Sequence, residues 1–573
     1  MLCIIHLRPP KTKCSVERQP EMSLEERIAV ARGERPASLV IRNVRIFHLT
    51  TGEVEPGDIA VDSEGVIAGI GGDYRGGREF DGHGLFAVPG FIDAHVHLES
   101  SMLLPREYEA QVLKHGVTTA VCDPHEMANV VGEDAFRFYF DAAERLTMAL
   151  EVRLSSCVPA TNLETSGARI GADRLLEWHR KYPKAALAEL MNVPGVLFRD
   201  PEVLRKVKEF DYIDGHCPLL SGKDLCAYVS AGVKNCHESS ILSEAKEKIL
   251  RGMQVLIREG SAARNLDALI PLITLENSPF LAFCTDDRSP LDMEESGHID
   301  RMVSRAISGG APVLAAYRVA CWSAARAMGF CDRGLVAPGR RADILLLSDL
   351  ESCSIEEVFV KGVSLKELSY SEEDVEETGF LRGTVKCREV SAADFERHPT
   401  GIQPVIGVSD GSLVTDFLEL DASSGDVLPV SVVERHGRTG NISHGLVHGF
   451  GLTSGAIASS VGHDSHNICV VGTNAADMAV AVNALRESQG GFAVARDGEV
   501  TGLLPLPLAG LISDQRCDVL MSQLRDVRSA VRDLGCPLHE PFLQLAFIPL
   551  PVIPHLKLTD MGLVDVDKFQ LLT

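Results

Sequence analysis

Between residues 91 and 330 the chain alternates short, apolar, β-rich runs with helix-patterned stretches. The runs number eight, at 91–97, 117–122, 149–157, 185–191, 212–216, 233–237, 254–259 and 281–286. Eight strand-and-helix units within about 240 residues predict a closed parallel barrel, whose strands are buried on both faces and carry reactive groups at their C-terminal ends. The interposed stretches have the spacing this fold requires. Ala135, Phe136, Phe138, Tyr139, Ala142 and Ala143 make one apolar helix face, and Leu175, Leu176 and Trp178 begin the next. Their aromatic rings read as core, not as a cofactor site.

The predicted class is α/β: a (β/α)8 TIM-like barrel over 89–330, a small β-sandwich domain split between 38–88 and 331–368, and a C-terminal α+β domain over 383–573. Short alternating runs such as Leu39-Val40-Ile41-Arg42-Asn43-Val44 and Ala342-Asp343-Ile344-Leu345-Leu346-Leu347 supply the split β domain. Residues 1–37 are expected to be a disordered extension, with Met22 a second candidate start, and the acidic stretch 369–379 a solvated linker. A long helix is expected near 515–534.

Composition narrows the partners. A formal charge of −24 over 573 residues disfavours phosphate backbones and anionic lipid, so no nucleic acid and no membrane is expected, and a neutral small molecule fits better. Hydrophobic residues make up 45% of the chain, enough for sizeable cores. The 15 cysteines include no CxxC pair, which reads as a reduced, cytoplasmic protein. No stretch approaches the ~18 uninterrupted apolar residues of a membrane span.

Chemistry enters at the strand ends. His95 and His97 are separated by one residue on a strand, so both side chains point the same way and can grip one ion. A lone pair of this kind can equally be two histidines that share a strand face. Here Glu189, His216, His237 and Asp286 follow at the ends of strands four, five, six and eight. Two divalent ions need a bridging carboxylate and several imidazoles, and such a pair can make water reactive at neutral pH. Glu189 is the natural bridge, because a carboxylate inside an apolar strand is costly without a partner. Spacing leaves Asp286 or Asp287 as the last ligand; Asp286 is chosen, and it can also take the proton of the attacking water. His125 and Glu126 close strand two and face the same mouth as candidate catalytic assistants, unless they only cap the next helix.

The text around these residues resembles the adenine deaminase family of the amidohydrolase superfamily from about residue 38 to the C-terminus. The resemblance is carried by Pro89-Gly90-Phe91-Ile92-Asp93-Ala94-His95-Val96-His97-Leu98-Glu99-Ser100-Ser101-Met102, Cys122-Asp123-Pro124-His125-Glu126, Asp214-Gly215-His216-Cys217-Pro218, Asn235-Cys236-His237-Glu238-Ser239 and Cys284-Thr285-Asp286-Asp287-Arg288. It implies a binuclear Mn²⁺ site, with Fe²⁺ as the alternative, held by His95, His97, Glu189, His216, His237 and Asp286. It further implies adenine as substrate, metal-activated hydroxide attack at C6 to give hypoxanthine and ammonia, and a homo-oligomer. Asp286 is the expected proton carrier, with His125 and Glu126 assisting. His463-Asp464-Ser465-His466 then reads either as a loop covering the purine pocket or as a structural turn. Cyclic-amide hydrolases of the same superfamily usually place a carbamylated lysine after strand four, where this chain has Glu189. Neither a PCxxC motif nor a Gly-rich phosphate loop is present.

Overall fold

The computed structural model describes residues 22–368 and 377–572. The first 21 residues of the expected extension, and 369–376 of the expected linker, lie outside the described residues. The rest of the extension is not disordered. Leu24–Ala31 is a helix, started by a capping box in which Ser23 and Glu26 exchange side-chain and backbone hydrogen bonds. Val30 is buried against Val40, Ala60 and Ala68, and Arg27 pairs with Asp62 at 2.7 Å. Burial of one apolar face and this cap outweigh the polar composition of the segment.

The flanking β segments join in one hydrogen-bonded sheet of eight strands drawn from both sides of the chain, in place of the expected sandwich. The physical reason is the long strand Ala37–Phe47. A bulge between Ile41 and Val44 lets its first half pair with Gly76–Asp81 and its second with Phe86–Pro89, which in turn pairs with Ile344–Asp349.

Each of the eight apolar runs contains a strand. Parallel pairing links Phe91–Val96, Val117–Cys122 and Ala149–Val152, then passes to Leu187–Leu190 through a Leu154–Leu187 bridge and on to Ile213–Gly215. Lys234 donates its N–H to Ile213 O at 3.0 Å, leading into Asn235–Cys236, Gln254–Arg258 and Leu281–Cys284. A parallel bridge between Val96 and Asp286 brings the last strand back to the first. All six residues of Phe91–Val96 and of Val117–Cys122 are buried, as strands covered on both faces must be.

The C-terminal segment forms a second eight-stranded sheet backed by helices Ala475–Ser488 and Cys517–Asp533, the latter close to the expected 515–534. Ala456, Ala458, Ala493 and Ala495 line the sheet face under Met478, Ala481, Val482 and Leu485, so the backbones approach closely. This unit docks on the loops after the first and third parallel strands. Ser513 donates its N–H to Met102 O (2.9 Å), Thr165 its N–H to Asp560 Oδ1 (2.8 Å), and Asn467 Nδ2 binds Thr165 O (2.9 Å). No described helix is long and apolar enough to cross a membrane.

Candidate metal centre

The first and eighth parallel strands are zipped together at the ligand positions themselves. Asp286 donates its N–H to His95 O at 2.9 Å and accepts at its own carbonyl from His97 N–H at 3.1 Å. Its φ of 60°, a left-handed conformation that Asp tolerates better than most residues, turns the chain so that the carboxylate faces inward. Asp93 supports this from below by accepting the Thr285 N–H (3.0 Å) and hydroxyl (2.5 Å). Before His216, only glycine fits: a Cβ on Gly215 would lie 2.2 Å from Asn235 O.

All six expected ligands are buried and converge. Glu189 Oε1 lies 3.2 Å from His97 Nε2 and 3.9 Å from His95 Nε2, while Oε2 lies 2.7 Å from His216 Nδ1 and 3.4 Å from His237 Nε2. The two oxygens of one carboxylate therefore divide the imidazoles into two pairs. Asp286 Oδ1 is 3.0 Å from His97 Nε2 and 3.4 Å from His95 Nε2. Asp287, the alternative left open by spacing, accepts instead from the Ser100 hydroxyl. His97 Nδ1 is 3.1 Å from the Asp123 carbonyl, a contact that fixes the ring with Nε2 pointed at the cluster.

Electrostatics agree with a site built around positive charge. Burial alone would raise the pKa of Glu189, but His216, His237 and His97 outweigh it and hold the carboxyl well below its ordinary range. Asp286 is likewise held low, against its burial, first by Arg258 and then by His95 and His97. Burial and His125 disfavour charge on His97, yet Asp286 and Glu189 prevail and raise it. Burial and His237 depress His95.

The donor set fits divalent cations. Imidazole Nε2 atoms of His95 and His97 stand 3.2 Å apart with carboxylate oxygens around both, an array of lone pairs that repel unless cations or protons lie among them. His125 Nδ1, buried 3.4 Å from Glu189 Oε1 and 3.3 Å from Asp123 Oδ2, has no hydrogen-bond partner among the described residues. The ligand atoms of His97, Asp123, His125 and Glu189 lie close enough together to share an ion, as do those of His95, Glu189 and His237.

Glu238 and Arg258 also border the site, although the sequence places them in family motifs, Asn235–Ser239 and Arg258–Asn265, without giving either a role. Arg258 contacts Glu238 and holds Asp286 Oδ2 at 2.5 Å, and Glu238 Oε1 is 3.4 Å from His237 Nε2. A signal existed: an arginine ending an apolar strand needs buried anionic partners, and Glu238 directly follows a ligand histidine.

His125 and Glu126 reach the same cavity, and so does the C-terminal segment. Glu126 Oε1 contacts His463 Nδ1 and lies 3.1 Å from His125 Nε2, while Oε2 rests against His466 Nε2. Burial would raise the pKa of Glu126, but His463, His125 and His466 hold it well below its ordinary range. Burial works against charge on His463, yet Glu126 and Asp287 push its pKa up to about 9. Asp464 Oδ1 is 3.6 Å from His125 Nε2. The His463-Asp464-Ser465-His466 loop is thus a cover over the barrel mouth and not a remote turn. Ser289, by contrast, caps the helix Pro290–Ser296 by accepting the Asp292 N–H.

Leu413, Phe547, Leu550 and Ile553 complete the cover, and Phe547 stacks on His463 with ring centroids 4.5 Å apart. The space left between these walls is about 30 Å³, room for a few water molecules at most. Lys557, fully buried, ties the cover together by donating to Phe547 O (2.9 Å) and Leu413 O (3.3 Å). Burial lowers its pKa from 10.5 to about 7. Between those values the unfolded chain binds a proton that the folded chain does not, so this lysine makes stability rise with pH across that window. The parent chain is expected to gain melting temperature as pH rises above neutral, and Lys557→Met to flatten that rise. Parallel thermal melts across that range check this, and an identical slope in the variant refutes it.

Residues 86–365 match the model of the Amidohydrolase family, and residues 406–570 that of the Adenine deaminase C-terminal domain. The chain is similar to an adenine deaminase of Brucella anthropi, 50% identical over 561 residues that span 95% of this chain and 99% of the relative. Its similarity to the adenine deaminase of Methylobacterium nodulans is 52% identity over 565 residues, 96% of this chain and 99% of the relative. That of Gluconobacter oxydans is 50% identical over 560 residues, 95% and 99% respectively.

Proposed function

This chain belongs to the adenine deaminase family of the amidohydrolases, and we propose that it converts adenine and water to hypoxanthine and ammonia at two divalent ions held at the mouth of a (β/α)8 barrel. The observation that carries the binuclear reading is the division of labour at Glu189, whose two oxygens face separate imidazole pairs. His95, His97, His216, His237 and Asp286 would complete the set. Mn²⁺ or Fe²⁺ suits a mixed imidazole and carboxylate donor set. When bound, such ions lower the pKa of water enough to supply a nucleophile near neutral pH.

The side chains then manage protons. Replacing the exocyclic amine at C6 requires both protons of the attacking water to leave its oxygen in turn, one ending on purine N1 and the other on the departing amine, which leaves as ammonia. Asp286 is the proton acceptor. Arg258 occupies its Oδ2, so Oδ1, the oxygen facing His95 and His97, is the one left to receive the proton. His125 and Glu126, 3.1 Å apart, form a second relay on the other wall of the cavity. His463 keeps Glu126 ionised and ready to accept. The apolar residues Leu413, Phe547, Leu550 and Ile553 exclude bulk water, which strengthens each of these interactions.

A bicyclic base does not fit a space of about 30 Å³, so the cover formed by the C-terminal segment must shift for adenine to enter and close again behind it. A ribosyl substituent would oppose that closure. Metal-loaded protein is therefore expected to release ammonia from adenine and not from adenosine or cytosine. A fully metallated preparation that leaves adenine intact would remove the proposal.

A further inference from the structure

Outside the catalytic mouth, a cavity of about 310 Å³ opens beside the loop that follows the seventh parallel strand. Its character is opposite to that of the chain as a whole. In a protein with a formal charge of −24, four guanidinium groups, those of Arg264, Arg288, Arg301 and Arg305, line it against two carboxylates. One of these carboxylates, Asp267, is committed to Arg305 through two hydrogen bonds of 2.9 and 2.8 Å. The other, Glu259, comes no closer than 3.9 Å to Arg264.

Arg288 is buried, and its guanidinium binds only backbone carbonyls: Glu259 O at 2.6 Å, Gly297 O at 3.1 and 2.6 Å, and Asp292 O at 3.3 Å. Carbonyl oxygens solvate this charge without neutralising it, and among the described residues no carboxylate lies within ion-pair distance of it. His298 lines the same space. It is 1% exposed, and neither ring nitrogen has a hydrogen-bond partner, the nearest carboxylate oxygen being Asp93 Oδ2 at 3.7 Å. At the rim, Arg301 is exposed and makes no ion pair among the described residues. A buried cation with no carboxylate in direct contact, a buried histidine with unused hydrogen-bonding capacity and an arginine without an ion pair at the entrance ask for an anion with several acceptor oxygens.

We propose that this cavity is a binding site for a small phosphate monoester, separate from the metal centre. Guanidinium forks match phosphoryl oxygens in pairs. The volume exceeds that of an inorganic ion and falls at the lower edge of small-molecule sites, roughly 300–1,000 Å³. Leu266 and Met302 supply an apolar wall for the organic part.

The test is isothermal titration calorimetry of the full-length protein with adenosine 5′-monophosphate and, separately, inorganic phosphate. Arg301→Glu and Arg301→Lys are compared with the parent chain. Arg301 is exposed, so both variants should melt as the parent does, and adenine turnover should be unchanged in both. That turnover, measured on the same preparations, keeps a failure here distinct from a failure of the deaminase assignment. The monoester should bind to the parent chain, roughly 10- to 100-fold more weakly to Arg301→Glu, and with a smaller loss to Arg301→Lys, whose ammonium keeps the charge but not the fork. Undiminished binding to Arg301→Glu places the phosphate elsewhere and overturns the proposal. Absence of binding to the parent chain up to about 10 mM also overturns it, and binding of phosphate without the ester overturns the assignment of ligand class.

Discussion

Glu189→Gln is expected to lower adenine turnover by at least ~10³-fold, the scale set by several kcal/mol of transition-state stabilisation, and to cut the bound metal from two ions per chain to one or none. The argument is geometric. Glutamine keeps one acceptor oxygen and replaces the other with an amide that only donates, so it can face the His95 and His97 pair or the His216 and His237 pair, but not both as a ligand. The substitution is nearly isosteric, so the strand Leu187–Leu190 keeps its packing and the chain should fold. Metal analysis by inductively coupled plasma mass spectrometry, alongside ammonia release, checks both halves. A variant that retains two ions and turns over adenine within about tenfold of the parent would show that Glu189 is not the bridge.

What the sequence made legible, and what it did not, follows from how local each signal is. The strands could be read because both faces are buried and the runs are continuously apolar; Phe91–Val96 and Val117–Cys122 are examples. The convergence of His95, His97, Glu189, His216, His237 and Asp286 could be read because strand ends in such an arrangement share one rim, so order along the chain translates into proximity in space. The helix Leu24–Ala31 was missed although Ser23 and Glu26 spell a capping box, because the polar residues before it dominated the reading of composition. Spacing does not separate Asp286 from Asp287; only the fold shows that the positive φ of Asp286 turns its carboxylate toward the histidines while Asp287 accepts from Ser100. The contacts of Glu126 lay furthest from view. They join residues 337 positions apart, and nothing local to either segment says that His463 will meet that carboxylate.

Glu126→Gln is expected to reduce kcat by about 100-fold, within the range for loss of a positioned acid or base, and the pattern of its coupling distinguishes what Glu126 does. Its two oxygens face His125 from the barrel and His463 and His466 from the cover, so in the proposed mechanism it would serve both as a proton carrier and as the anchor that seats the cover. If anchoring contributes, His463→Asn should raise KM by itself, because the cover then closes less readily on adenine. Combining it with Glu126→Gln should then cost less than the two single effects together, since the contact is already lost in either single variant. If proton transfer were the whole role, the two effects would simply multiply. A neutral glutamine also removes the anion that sustains the charge on His463, whose pKa of about 9 should fall back toward that of an ordinary or buried histidine. Titration of the His463 ring by nuclear magnetic resonance follows this directly, in the absence of substrate. Unchanged turnover at saturating adenine in Glu126→Gln would take this carboxylate out of the chemistry, and an unshifted His463 titration would take it out of the cover as well.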